Sequence, residues 1–364
     1  MRRVVALLAL LAVAACEPAQ RRVQMYAADE PPALLSDWAV LIKQGDRLAL
    51  NEGVIPYELK TPLFSDYALK LRTIWMPADS AAIYAAEAEF DFPVGTIISK
   101  TFHYRKANTW REDDYQVLIS DQVDVQSPLD LADYMLVETR LLVRYADGWY
   151  GFPYVWNAAQ TDATLEIAGD VRRIALVRDE AVEDINYVVP DVNQCSGCHT
   201  PDHSAGDLRL LGPKAWQLDR SYAWWGNDAS QLQNWRKHDL LLDAPATLAS
   251  APASLHQQAR EYLDANCAHC HNPAGAADTS ALHLNIDAPV DRKFGICKTP
   301  VAVGRGSGDH TYDIYPGRPA DSIMIFRMQH TDPAIAMPEL GRSAVHVEGV
   351  ALIAEWIAAM SGEC

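Results

Sequence analysis

Two five-residue segments of this chain can carry chemistry by residue type and spacing: Cys195-Ser196-Gly197-Cys198-His199 and Cys267-Ala268-His269-Cys270-His271. Each is a CxxCH unit, the spacing at which c-type haem is attached. On a helical turn, positions i, i+3 and i+4 share one face, so two thioethers hold the porphyrin edge while the histidine reaches iron. Cys195, Cys198, Cys267 and Cys270 are therefore expected to bind two haems covalently, with His199 and His271 as iron ligands. The competing reading is a four-thiolate zinc site, because paired CxxC units are also metal-ligand spacing. Against it stand the histidine after each second cysteine and the roughly seventy residues between the pairs. A thioredoxin-like redox pair is weaker still, since neither unit follows a clear strand of a βαβ unit.

Met337 is the candidate sixth ligand of the second haem. Pro338 directly after it keeps the segment out of a regular helix and presents the thioether, and histidine with methionine favours Fe(II) relative to two histidines. Met324, Met328 and Met360 fall on expected helices and read as core. The first haem has no such partner, because no methionine lies between Cys198 and Cys270. His203 is too close to His199 to cross to the opposite face, which leaves His238, His256, Tyr222, His103 or an open sixth position. The distinction matters: a five-coordinate haem can do chemistry, whereas a six-coordinate one mainly passes electrons.

The remaining cysteines bear on compartment. Arg2 and Arg3 precede an apolar run from Val4 to Ala15, too short to span a bilayer, and Val13-Ala14-Ala15-Cys16 looks like a lipoprotein lipobox. Residues 1–15 are thus expected to be a signal peptide and Cys16 to be lipidated, which anchors the chain to a membrane facing the periplasm. An ordinary cleaved signal peptide is the alternative. In that oxidising setting Cys297 and Cys364 are expected to form a disulfide, closing about 67 residues and worth roughly 4 kcal/mol in the chain-entropy model. Two free thiols are the other outcome.

The elements that must position these groups follow from the pattern along the chain. Residues 16–50 read as anchor and tether, the polar stretch 17–33 with Pro31-Pro32 being the tether and Leu34 to Ile42 a short helix. Residues 51–190 show short apolar and aromatic runs broken by turn residues, with a hairpin signal at Asp147-Gly148, and predict a β-rich, sandwich-like domain. Residues 191–250 form the first haem segment, with a helix over Gln231 to Leu242. Residues 251–364 have the order of a cytochrome c-like domain: a helix over Ser254 to Asn266 with Leu255, Ala259, Tyr262 and Leu263 inward, the second CxxCH, a short helix after Asp321-Ser322, the Met337 loop, and a final helix from Glu348 to Met360. The fold class expected is α+β and multidomain, a β-rich region followed by a helical haem region. The stretch Gly304 to Gly308 lacks the lysine of a phosphate loop and reads as a turn at the haem edge, with Arg305 either facing solvent, the commoner outcome, or meeting a haem propionate.

The formal net charge is -17, which argues against nucleic acid as a partner and reads either as a solubilising surface or as a match to a redox partner with a basic docking surface. The chain resembles a family of exported bacterial dihaem c-type cytochromes of largely unassigned physiology. The likeness rests on Thr61 to Ala68 (TPLFSDYA), Glu138 to Leu142 (ETRLL), Tyr154 to Asn157 (YVWN), Leu211 to Lys214 (LGPK) and Met337 to Arg342 (MPELGR). The resemblance implies a haem-binding electron carrier with a β-rich N-terminal region. The alternative function is a peroxidase-like enzyme working at an open first haem, and a third is a binding module in which haem is structural.

Overall fold

The computed structural model describes residues 21–108, 115–120, 127–179, 181–200, 202–245, 253–301 and 304–364. The signal-peptide and Cys16 expectations lie outside these residues. The apolar and aromatic runs become nine strands of one sheet: β1 (Ile55–Tyr57), β2 (Leu69–Trp75), β3 (Ile97–Lys106), β4 (Gln116–Leu118), β5 (Tyr134–Tyr145), β6 (Gly148–Trp156), β7 (Ala163–Leu165), β8 (Asp170–Arg178) and β9 (Ala181–Val189). The β5–β6 hairpin turns on Ala146 and Asp147, with Gly148 opening the returning strand.

The sheet runs β7-β6-β5-β3, and the far edge of β3 is then shared. Its Ile97–His103 stretch pairs with β2, while Arg105 and Lys106 pair with β4. Strand β4 lies parallel to β8, which forms a hairpin with β9. A register shift at Phe102/His103 bends β3 as bulges do. The result is one curled sheet rather than the two packed sheets expected of a sandwich. A three-stranded sheet (Leu41–Gln44, Arg47–Leu50, Leu129–Asp130) shares a core with it, Leu41, Leu48 and Leu129 packing with Leu71, Ile97 and Leu136.

The expected tether is tied down from Arg21 onward. Tyr26 stacks edge-on against Trp38 at 5.2 Å, Tyr145 donates to its carbonyl, and Tyr154 donates to the Pro32 carbonyl. Buried aromatic hydroxyls on the sheet need acceptors, and this otherwise irregular segment supplies them. The short helix near its end covers Leu35–Trp38 only.

After Asp191 the chain is mostly loop and turn around short helices: α1 (Val192–His199), α2 (Leu255–Leu263), α3 (Ile323–Met328) and α4 (Val347–Ala358). The chain is thus mixed α+β and dominated by its sheet. Ala259, Leu263, Ile325, Val350, Ile353, Trp356 and Ile357 form the core between α2, α3 and α4, and Cys297 is joined to Cys364 by a disulfide with Cα atoms 5.3 Å apart. The helix expected over Gln231 to Leu242 stops at Lys237, because Asp239 takes a left-handed conformation and Leu241–Leu242 then pairs with Ala82–Ile83. Leu210, Leu218, Leu232 and Trp235 share a core with Tyr57, Ile74, Phe90 and Ile98, so the first haem segment is packed on the sheet.

Candidate functional site

Helix α1 is started by Asp191, whose carboxylate accepts from Gln194 N–H at 2.8 Å while the Gln194 side chain accepts from Asp191 N–H. This box delivers Cys195, Cys198 and His199 on successive turns. The second unit follows α2 through a wider turn over Asp264–Ala268, after which His271 N–H bonds to the Cys267 carbonyl at 2.9 Å. Such widened turns recur where a helix must re-aim its side chains. Cys195, Cys198, Cys267 and Cys270 are all free thiols.

Each histidine has one ring nitrogen committed. His199 Nδ1 lies 2.8 Å from the Arg209 carbonyl, which can only accept, so Nδ1 carries the proton and Nε2 keeps a lone pair. His271 Nδ1 lies 3.0 Å from Ser280 Oγ, whose own proton goes to the Ala277 carbonyl at 2.6 Å, so this Nδ1 also donates. Burial pushes both imidazoles down to about 4, which keeps them neutral. A neutral imidazole oriented by a hydrogen bond from its other nitrogen is the arrangement iron ligation requires.

The two units meet. Within this meeting the neighbouring Cys270 thiol holds Cys198 well below the usual thiol range, and Cys270 is pushed up in turn. Cys270 Sγ also lies 3.4 Å from the Gly197 carbonyl. A side-chain carbon at Gly197 would stand 3.3 Å from Leu340, so the methionine loop packs on the first unit as well. Burial lifts the Cys267 thiol to about 12. Among the described residues no three His, Cys, Asp or Glu side chains are grouped to hold a single metal ion.

One cavity of about 400 Å³ gathers these groups, within the size range of small-molecule and cofactor sites. Cys195, Cys198, His199, Cys267, Met337 and Met328 line it, whereas Cys270 and His271 do not. Met328, expected as core alone, is both core and lining. The loop 58–68 joins the sheet to the C-terminal part across this cavity. Phe64 N–H bonds to Asn266 at 2.8 Å, Lys60 pairs with Glu261 at 2.8 Å, and Asp66 accepts from the amides of Ser343 and Ala344. That contact is a structural role for the TPLFSDYA stretch.

The candidate sixth ligands of the first haem are placed elsewhere. His238 stacks on Trp225, His256 accepts from Trp356 Nε1 at 3.1 Å, and neither lines the cavity. His103 is fully buried on the opposite sheet face, bonded to the Thr101 carbonyl and edge-on to Tyr134. Tyr222 is buried outside the cavity lining, and Arg305 is exposed beside Asp332. Two lining histidines were not singled out from the sequence: His269, within the second unit, and His346, stacked on Phe64 at 4.2 Å and bonded to Tyr262.

Sequence reasoning also missed the cavity's cationic wall of Lys70, Arg72, Lys100 and Arg140. Their alternation in β2 was visible, but their alignment across strands is a matter of register. No protein-family model, curated protein or solved structure matches the chain, so its chemistry is argued from this geometry.

Proposed function

We propose that this protein is a dihaem c-type cytochrome that transfers electrons in the bacterial cell envelope. Cys195 and Cys198 would hold one haem with His199 on its iron, and Cys267 and Cys270 the second with His271 and Met337. Four cysteines outside the disulfide and two histidines with Nδ1 committed to hydrogen bonds fit that role. The observation that supports the reading is the meeting of the two CxxCH units, Cys270 Sγ 3.4 Å from the Gly197 carbonyl, beside one cavity. Groups attached at adjoining thiols would lie close enough to exchange electrons without a mobile carrier. Bound haem supplies one-electron chemistry at iron. The chain supplies attachment, neutral imidazoles and the Arg342-braced loop of Met337, whose thioether favours the reduced state. The resemblance to exported dihaem cytochromes accords with this reading. The first unit lies within α1, whereas the second starts in the wide turn that follows α2 and ends in irregular turn structure.

The charge of -17 favours a partner with a basic docking surface, and lipidation at Cys16 would hold the protein at a membrane facing the periplasm. No helix among the described residues is long and apolar enough to cross a membrane. The test is a visible spectrum of the haem-matured protein, reduced and then treated with carbon monoxide, beside Met337→Ala. Two covalent low-spin haems unreactive in wild type, with one reactive haem gained in the variant, is the expected result. Absence of covalent haem overturns the reading. A wild-type haem that already binds carbon monoxide transfers the assignment to an enzyme acting at the first site.

A further inference from the structure

The cavity wall contributed by the sheet is a cross-strand row of cations. Arg72 on β2 stands directly opposite Lys100 on β3, and Lys100 directly opposite Arg140 on β5. Two residues along, Lys70 joins the same face opposite Phe102. Like charges directly opposite one another on adjacent strands destabilise a sheet, and burial sharpens the cost. Lys70 and Arg72 are only 8% and 5% exposed.

Among the described residues, carboxylates form ion pairs with the arginines of this row and not with its lysines. Glu58 accepts from Arg72 at 3.2 Å, and buried Glu138 takes Arg140 in a two-pronged contact while accepting from Tyr187. Lys70 donates to the Ala68 carbonyl at 3.0 Å. Lys100 makes no hydrogen bond or ion pair among the described residues and lies over the Phe102 ring, 5.2 Å from its centre. In a chain of net charge -17 a basic wall here is not a by-product of composition. The row lines the same cavity as Cys195, Cys198 and His199, which places it beside the first CxxCH unit.

We propose that the row Arg72–Lys100–Arg140, with Lys70 beside it, is a seat for a ligand bearing anionic oxygens. Two sources share that chemistry. One is the pair of carboxylates on a haem attached at Cys195 and Cys198, a source that rests on the cytochrome reading. The other is a free oxyanion that enters the cavity as substrate or effector, which does not.

Lys100→Met is the informative variant because it removes a cation without stranding Glu58 or Glu138; Lys100→Arg restores the charge and controls for folding. The haem-matured protein is titrated with inorganic phosphate and with sulfite by calorimetry, and the midpoint potential of each haem is followed spectroscopically without added anion. If the haem carboxylates occupy the seat, neither anion binds. Lys100→Met then lowers one haem's reduction equilibrium by about tenfold, about 59 mV for one electron, while Lys100→Arg stays near wild type. If the seat takes a free oxyanion, wild type binds phosphate or sulfite and Lys100→Met weakens binding by about tenfold or more. The proposal is overturned if no anion binds and neither potential moves. If the chain carries no covalent haem, the cytochrome reading has failed, and anion binding by wild type alone then decides the seat.

Discussion

Arg342 should control how firmly Met337 is held. Its Nη2 donates to the carbonyls of Met337 at 2.8 Å, His330 at 2.9 Å and Arg327 at 3.3 Å, and its Nη1 donates to Ala344 at 3.1 Å. The Arg327 carbonyl keeps a second donor in Met337 N–H, so Arg342→Ala deprives four carbonyls of their charged partner and leaves three of them to find another donor. An unsatisfied buried acceptor costs about 1–3 kcal/mol, giving a gross loss of about 3–9. Much of that is offset, because burial disfavours the guanidinium charge itself and water can reach a loop that opens. A net loss of about 2 kcal/mol confined to the loop raises its open population about 30-fold. The assay is the rate of Met337 oxidation by dilute peroxide, read by peptide mass, with buried Met328 as internal reference. Met337 should oxidise faster by that order in Arg342→Ala and by an intermediate factor in Arg342→Lys, whose single amine cannot reach all four carbonyls. A Met337 rate within about twofold of wild type would refute the bracing argument. An equal rise at Met328 would refute its localisation.

Two further expectations concern stability. His103 is buried with its pKa pushed down by desolvation from 6.5 to about 4, so below 6.5 the unfolded chain binds a proton that the folded one refuses. Its contribution is therefore constant above about pH 6.5 and falls by up to about 3 kcal/mol as pH drops to 4; urea midpoints across that window should show a shallower slope in His103→Gln, and an unchanged slope counts against the assignment. Removing the Cys297–Cys364 bridge as a double serine variant frees a 67-residue loop in the unfolded chain, worth roughly 4 kcal/mol at most. The last four residues, which have no regular structure, can then fray and recover some entropy, so a loss of about 2–4 kcal/mol in urea titration is expected and no loss would contradict it.

The candidate attachment residues were legible in the sequence because CxxCH is a local pattern whose meaning needs only one helical turn. The same holds for α2 and α4, whose inward faces repeat every three to four residues, and for the hairpin at Asp147-Gly148, read within one residue of its true turn. The Cys297–Cys364 pairing followed from counting once the other five cysteines had been assigned. Sheet architecture was not legible. A curled sheet and a sandwich use the same short strands, and the choice depends on the shift at Phe102/His103 and on β2 and β4 sharing one edge of β3. The tether was misread because polar, proline-bearing sequence looks unstructured until the tyrosines that need its carbonyls are known to lie beneath it.

Only the tertiary structure decided what surrounds the CxxCH units. It brought Cys270 to Gly197 across 73 positions, set Leu340 against Gly197, and turned His103, His238 and His256 away from the cavity. It aligned Arg72, Lys100 and Arg140, which lie tens of residues apart, into one row. The physical reason is that local patterns report which bonds a segment can make with itself. Register across strands and contact between distant loops are set by the packing of the whole chain.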